Sequence, residues 1–179
     1  MSWHLAIPEI VLACAGMAIL IISVLSRGEN SFLTSSMLTV GALVLAGVLV
    51  ITGAPGTGYH GQFTVDAYSG FAKLLILVAV ALGVVLSLDY AEHANMRRFE
   101  FPILMLYAAV GMMLMVSSTS LMSLYLGIEL MSLPIYVLAA FARDERRSAE
   151  AGLKYFVLGS LASGLLLYGI SLTYGFTGS

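Results

Sequence analysis

The run Leu121-Met-Ser-Leu-Tyr125-Leu-Gly-Ile-Glu129-Leu-Met-Ser-Leu-Pro134-Ile-Tyr136-Val-Leu-Ala-Ala-Phe-Ala142 holds one charged side chain among hydrophobes, small residues, hydroxyls and a proline. It is long enough to cross bilayer hydrocarbon, which takes about 20 predominantly apolar residues. The exception, Glu129, is costly: an ionisable group near the bilayer centre is disfavoured by about 2.5 to 3.5 kcal/mol even on gentle insertion scales. A chain that keeps such a group is expected to use it, and the first expectation is ion or proton chemistry inside a membrane.

The rest of the sequence agrees with that setting. Hydrophobic residues make up 60% and charged residues 10%, with a mean hydropathy of +0.98, whereas soluble domains carry about 25% charged residues. Six apolar stretches can span, at residues 7–25, 33–52, 67–88, 101–116, 121–142 and 149–174. The predicted fold is therefore an all-α, polytopic transmembrane helical bundle, one membrane domain over residues 1–179. The first stretch lacks a basic leading region and a clear small-residue cleavage motif, so it reads as a retained helix rather than a signal peptide. Val11-Leu-Ala-Cys14 only loosely matches a lipoprotein cleavage box, and Cys14 is expected to be a buried thiol.

One cysteine cannot ligate an iron–sulfur cluster, which generally needs four protein ligands. His4, His60 and His93 fall in the tail or loops by this reading, away from a mid-bilayer haem position. No cofactor and no metal are expected in the chain. Gly53-Ala-Pro-Gly-Thr-Gly58 lacks the Lys and Ser/Thr of a phosphate-binding loop, being followed by Tyr59 and His60, so it reads as a flexible turn. No nucleic-acid partner is expected.

Charge sets the orientation. Arg27 follows the first span, Arg97 and Arg98 the third, and Arg143, Arg146 and Arg147 the fifth, while the other loops and both tails hold no Lys or Arg. The positive-inside rule then puts the odd-numbered loops in the cytoplasm and both termini on the opposite side.

Four intramembrane or interfacial groups are singled out. Glu129 lies about 15 Å below the Ser117–Ser120 turn by helical rise, and Tyr125, Ser132 and Tyr136 share its helix face. A polar stripe of that kind must face protein or water, and Pro134 frees a carbonyl near Leu130 that would let a partner approach. Lys154, near the cytoplasmic start of the sixth helix, either snorkels beside Glu150 at i−4 or turns inward to exchange charge. Asp66 is expected to be an interfacial cap or first-turn acid of the third helix, favoured by the helix dipole; Asp66 and Lys73, seven residues apart on roughly one face, are expected to be a structural pair whose side chains both reach the outer interface. Glu9 is read the same way, as a first-turn acid.

The Tyr125–Tyr136 run, followed by Ala149-Glu-Ala-Gly-Leu-Lys154-Tyr-Phe-Val-Leu-Gly-Ser160 and preceded by Val65-Asp66-Ala67 through Lys73, closely resembles the antiporter-like subunits of respiratory complex I, the bacterial NADH:quinone oxidoreductase. The resemblance covers essentially the whole chain. It implies a proton channel with no redox centre, driven by quinone chemistry in neighbouring subunits that carry the flavin, iron–sulfur clusters and quinone. It gives Glu129 the role of the fifth-helix glutamate and Lys154 that of the sixth-helix lysine, with Tyr125, Ser132, Pro134, Tyr136, Lys73 and Asp66 as supporting groups. Such a subunit would sit in the bacterial inner membrane against adjacent antiporter-like subunits and lipid. Family members have about fourteen helices in two inverted repeats, so this chain is expected to be the amino-terminal six-helix part, without the seventh-helix lysine that pairs with the glutamate.

At an effective dielectric near 20, a unit charge pair at 4 Å interacts by about 4 kcal/mol, roughly a thousandfold in proton affinity. Moving a lysine partner would thus switch Glu129 between binding and releasing a proton. Two other readings share these residues. One is a subunit of a multi-subunit sodium/proton antiporter or membrane-bound hydrogenase. The other is a structural docking element working through the small residues Gly152, Gly159, Gly164 and Gly169.

Overall fold

The computed structural model describes residues 3–25, 31–93 and 97–177; Arg27 of the orientation argument lies outside them. A 3-10 turn over Trp3–Ala6 leads into α1 (Ile7–Leu25), followed by α2 (Ser31–Thr52), α3 (Ala67–His93), α4 (Glu100–Ser117), α5 (Leu121–Ala139) and α6 (Arg146–Thr177). All six are long and apolar enough to cross a membrane.

The helix ends depart from the predicted spans for local reasons. α5 stops at Ala139, because the Ala140 N–H turns back onto the Tyr136 and Val137 carbonyls, and Phe141 leaves the helix to stack edge-on against Phe101 at 5.3 Å. α6 begins at Arg146, so Arg146 and Arg147 belong to a helix and not to a loop. At 32 residues, α6 would extend about 48 Å, more than the roughly 30 Å of bilayer hydrocarbon. His93 closes α3 rather than lying in a loop.

The first four helices form the bundle. Leu12 of α1, Leu43 of α2, Leu77 of α3, and Leu106 and Met113 of α4 meet in one buried cluster. Lipid offers no hydrophobic incentive for helices to associate, so close van der Waals fit must hold them. Glycine provides that fit where α4 meets α5. A side-chain carbon added at Gly111 would stand 2.9 Å from the Gly127 carbonyl and collide with the Met131 backbone, and one at Gly127 would stand 3.1 Å from the Gly111 carbonyl. The two backbones touch there. α6 is peripheral: only 6% of its apolar window is buried. It rests on α5 where Gly152 meets Ala140 and Gly159 meets the Tyr136 ring, while Gly164 and Gly169 face open space. Cys14 is exposed rather than buried, since it lies two residues, more than half a helical turn, from the core residue Leu12.

The glycine loop is not a loose turn. Residues Gly56–Gly58 and Phe63–Val65 pair as antiparallel strands β1 and β2, with Gly56 opposite Val65 and Gly58 opposite Phe63. At the tip Tyr59, His60 and Gly61 all have positive φ, at 53°, 58° and 85°. This left-handed run is costly for Tyr59 and His60 and is held by its surroundings. The holder is the α4–α5 connection: the Thr119 hydroxyl donates to the Gly61 carbonyl, the Thr119 N–H donates to the Gln62 carbonyl at 3.1 Å, and Phe63 bridges Ser118.

Candidate functional site

α5 opens on Ser120, whose hydroxyl oxygen accepts the Ser123 N–H at 3.1 Å as a helix cap. Two turns on, Glu129 is half-buried, and among the described residues it has neither a hydrogen-bond nor an ion-pair partner. Its polar stripe is turned toward α6. Ser163 of α6 donates to the Tyr125 hydroxyl at 3.3 Å, and Tyr136 meets Tyr155 and Phe156 edge-on at 5.0 and 5.8 Å. Ser132 donates back to the Ile128 carbonyl at 2.7 Å, two residues before the buried Pro134. The aromatic contacts fix the α5–α6 hairpin around the proline and leave the carboxylate beside them unengaged.

Lys154 is not brought to Glu129. Its ammonium lies 2.5 Å from Glu150 Oε1, on an exposed face of α6 with the two side chains 69% and 55% accessible. The i−4 spacing places that partner within reach, and α6 is too peripheral to bury either charge.

The largest difference from the sequence expectation concerns Lys73. Its partner is Glu9, not Asp66. Lys73 Nζ lies 2.6 Å from Glu9 Oε1, with the side chains 2% and 3% accessible, and the Phe63 ring covers the ammonium at 5.0 Å. The contact is a close ion pair rather than an aligned hydrogen bond, and neither Glu9 oxygen accepts a hydrogen bond from any described group. The interfacial reading fails because the hairpin and the Trp3–Ala6 turn close over the helix starts, so neither side chain can reach the outer surface. One signal was present in the sequence: both helices start at the same face, and their opposite charges lie about 3 and 9 Å in by helical rise, a difference that a lysine stem can span.

Asp66 caps the start of α3, as its place before the helix predicts. Its Oδ1 accepts the Ser69 N–H at 2.7 Å, and the Ser69 hydroxyl oxygen accepts the Asp66 N–H at 2.8 Å. These bonds, the Ser69 N–H first, hold the Asp66 carboxyl below the usual carboxylate range. No cluster of three or more His, Cys, Asp or Glu side chains that could hold a metal occurs among the described residues.

Residues 118–179, which contain α5 and α6, match the family model described as NADH:quinone oxidoreductase/Mrp antiporter, transmembrane. The fold superposes on a chain of respiratory complex I from Thermus thermophilus with bound aureothin. That match has a TM-score of 0.80 and 33% identity, and covers 96% of this chain and 37% of that one. A chain of the archaeal membrane-bound sulfane sulfur reductase shares the fold at a TM-score of 0.79 and 19% identity, over 97% of this chain and 37% of that one. The chain belongs to the antiporter-like membrane subunits.

The curated relatives make the match more particular. NADH-quinone oxidoreductase subunit N of Granulibacter bethesdensis is 62% identical over 180 residues, covering 100% of this chain and 37% of the relative. Subunit N of Paramagnetospirillum magneticum is 53% identical over 175 residues, covering 97% and 36%. The chain therefore spans little more than a third of the length of the subunit N relatives it matches.

Proposed function

We propose that the chain forms part of a proton-translocating membrane subunit of an NADH:quinone oxidoreductase, with Glu129 as its relay carboxylate. The observation that carries this reading is the unengaged Glu129 on the α6-facing side of α5, within the segment that matches the antiporter family model. Tyr125 and Tyr136 hold α5 and α6 in register around it, Ser132 and Pro134 loosen the helix on its far side, and Asp66 fixes the start of α3. Lys154, paired with Glu150 at the basic end of α6, supplies a charge that can exchange with the aqueous side. The carboxylate is poised for an ammonium brought to it by a neighbouring helix, which would draw the proton off, and whose withdrawal would let it return.

The chain contributes no redox chemistry in this reading: flavin, iron–sulfur clusters and quinone belong to partner subunits. It sits in the bacterial inner membrane, with the arginine-rich ends cytoplasmic and both termini on the other side, against lipid and adjacent antiporter-like subunits. Purification of the native complex through an affinity tag on this subunit tests the assignment. Copurifying flavin and iron–sulfur centres with NADH:quinone activity are expected; a complex with sodium/proton exchange and no flavin would overturn it.

A further inference from the structure

α1 and α5 both pack on α4, and between them they leave a groove of about 450 Å³. Val110 and Leu114 of α4 form its floor, and its walls run over residues 6–13 of one helix and 123–130 of the other, about 10 Å each at helical rise. Ile10 and Leu126 at the rim are 40% and 59% exposed, so the groove opens sideways, away from the bundle. It does so along two helices that are long and apolar enough to cross a membrane. Glu129 lies about a third of a turn round α5 from this face, and the relay proposed above makes no use of the groove.

The lining is graded along its length. From Ile10 and Leu126 to Ala13 and Leu130 it is apolar. Glu9 is the only charged residue on it, and both carboxylate oxygens are buried against Lys73 rather than presented to the space. The polar groups gather at the hairpin end, where Trp3, Tyr59 and Gln62 stand. Tyr59 meets Trp3 and Phe63 edge-on, each at 5.9 Å, and is held there with φ at 53°. Such a left-handed residue persists only where its surroundings over-determine it. Trp and Tyr at the end of a spanning segment mark the level of lipid headgroups.

Width decides between occupants. Spread over its length, the volume corresponds to a mean cross-section of about 40 Å². A helix roughly 10–12 Å across needs about 80 Å² or more, whereas a methylene chain, whose carbons pack about 4 Å from their neighbours, needs less than about 20 Å². The groove is too narrow for a helix and takes one or two acyl chains.

We propose that this groove holds a membrane phospholipid, its acyl chains lying on α4 between α1 and α5 and its glycerol ester and phosphate oxygens at Trp3, Tyr59 and Gln62. The indole N–H, phenol O–H and amide N–H of those residues are neutral donors suited to such oxygens. Lipid tails gain no hydrophobic energy by leaving bulk lipid, so retention rests on close fit and on these hydrogen bonds. No Lys or Arg lines the groove, and the site therefore selects for acyl chains and not for headgroup charge.

Trp3 is the one tryptophan of the chain, and its place on the groove makes it the probe. The chain is reconstituted in phosphatidylcholine brominated at mid-chain, the bulk lipid is exchanged for its unbrominated form, and recovery of Trp3 fluorescence from bromine quenching is followed. Part of the quenching is expected to decay about tenfold or more slowly than the rest, equivalent to about 1.4 kcal/mol of retention. The slow part should be lost in Ala13→Phe, which fills the groove, and kept in Glu129→Gln and with phosphatidylglycerol in place of phosphatidylcholine. If Ala13→Phe does not fold, the Ile10→Phe/Leu126→Phe double variant, which closes the exposed rim from both walls, must remove it. Recovery in a single phase at the bulk exchange rate, or a slow phase indifferent to the groove-filling variants, would overturn the proposal. So would a slow phase confined to phosphatidylglycerol, or one abolished by one equivalent of a long-chain quinone. The readout needs neither NADH nor proton movement, so it stands or falls apart from the relay reading.

Discussion

Removing one member of the Glu9–Lys73 pair should destabilise the bundle far more than removing both. At 2.6 Å and an effective dielectric near 20, the Coulomb attraction is about 6 kcal/mol. Most of that offsets the desolvation of two charges, so the net worth of the intact pair is small. Lys73→Met leaves Glu9 charged, buried and without a hydrogen-bond donor, and losing one partner of such a pair costs about 3–5 kcal/mol. Glu9→Gln removes the negative charge opposite the ammonium at similar cost, relieved in part by the glutamine amide oxygen, which can still accept from it, and by the Phe63 ring. The double variant removes both desolvation terms and is expected within about 1 kcal/mol of the unaltered chain, making the cycle non-additive by about 3 kcal/mol or more. Unfolding by denaturing detergent in mixed micelles, read by helix content, measures all four proteins. Single-variant costs that add to the double-variant cost within about 0.5 kcal/mol would refute the reasoning, because independent sites behave that way.

Two further outcomes follow from the packing and the caps. Gly111→Val or Gly127→Val should abolish monodisperse assembly, since backbone alone fills the site at Gly111 and the Met115 backbone nitrogen stands behind the Met115 side chain at Gly127, whereas Gly164→Ala and Gly169→Ala should leave it unchanged; size-exclusion profiles in detergent report both. The lowered Asp66 carboxyl contributes stability that is fully present above its ordinary value near 3.8 and is lost as pH falls through the lower folded value. Thermal unfolding followed from pH 6 down toward pH 2 should therefore lose that acid-side dependence in Asp66→Asn.

Much of the fold was legible because bilayer thickness leaves few choices: apolar runs of about 20 residues become helices. Helix ends were less legible, since Ala140 and Phe141 leave α5 through a backbone turn and an aromatic contact with Phe101, neither visible in hydropathy. Glu129 stood out by isolation, and its polar stripe does turn toward α6. Lys73 was misplaced because its partner lies 64 positions earlier, in another helix, and because the hairpin that closes over both reads as an open glycine loop. Its order comes from Thr119, far away in the chain. Lys154 shows the opposite limit: a local i−4 pair was readable, but the peripheral position that leaves it exposed depends on how α6 sits on α5.

If Glu129 is the proton-carrying carboxylate proposed above, the number of protons translocated per electron must depend on it. The measurement is made on the assembled complex in sealed vesicles, with Glu129→Gln in the complete subunit. Glutamine preserves the shape of the side chain and its place between Tyr125 and Tyr136, so assembly and flavin content should be unchanged while NADH-driven proton uptake per electron falls. An unaltered proton-to-electron ratio in a fully assembled Glu129→Gln complex would contradict the account.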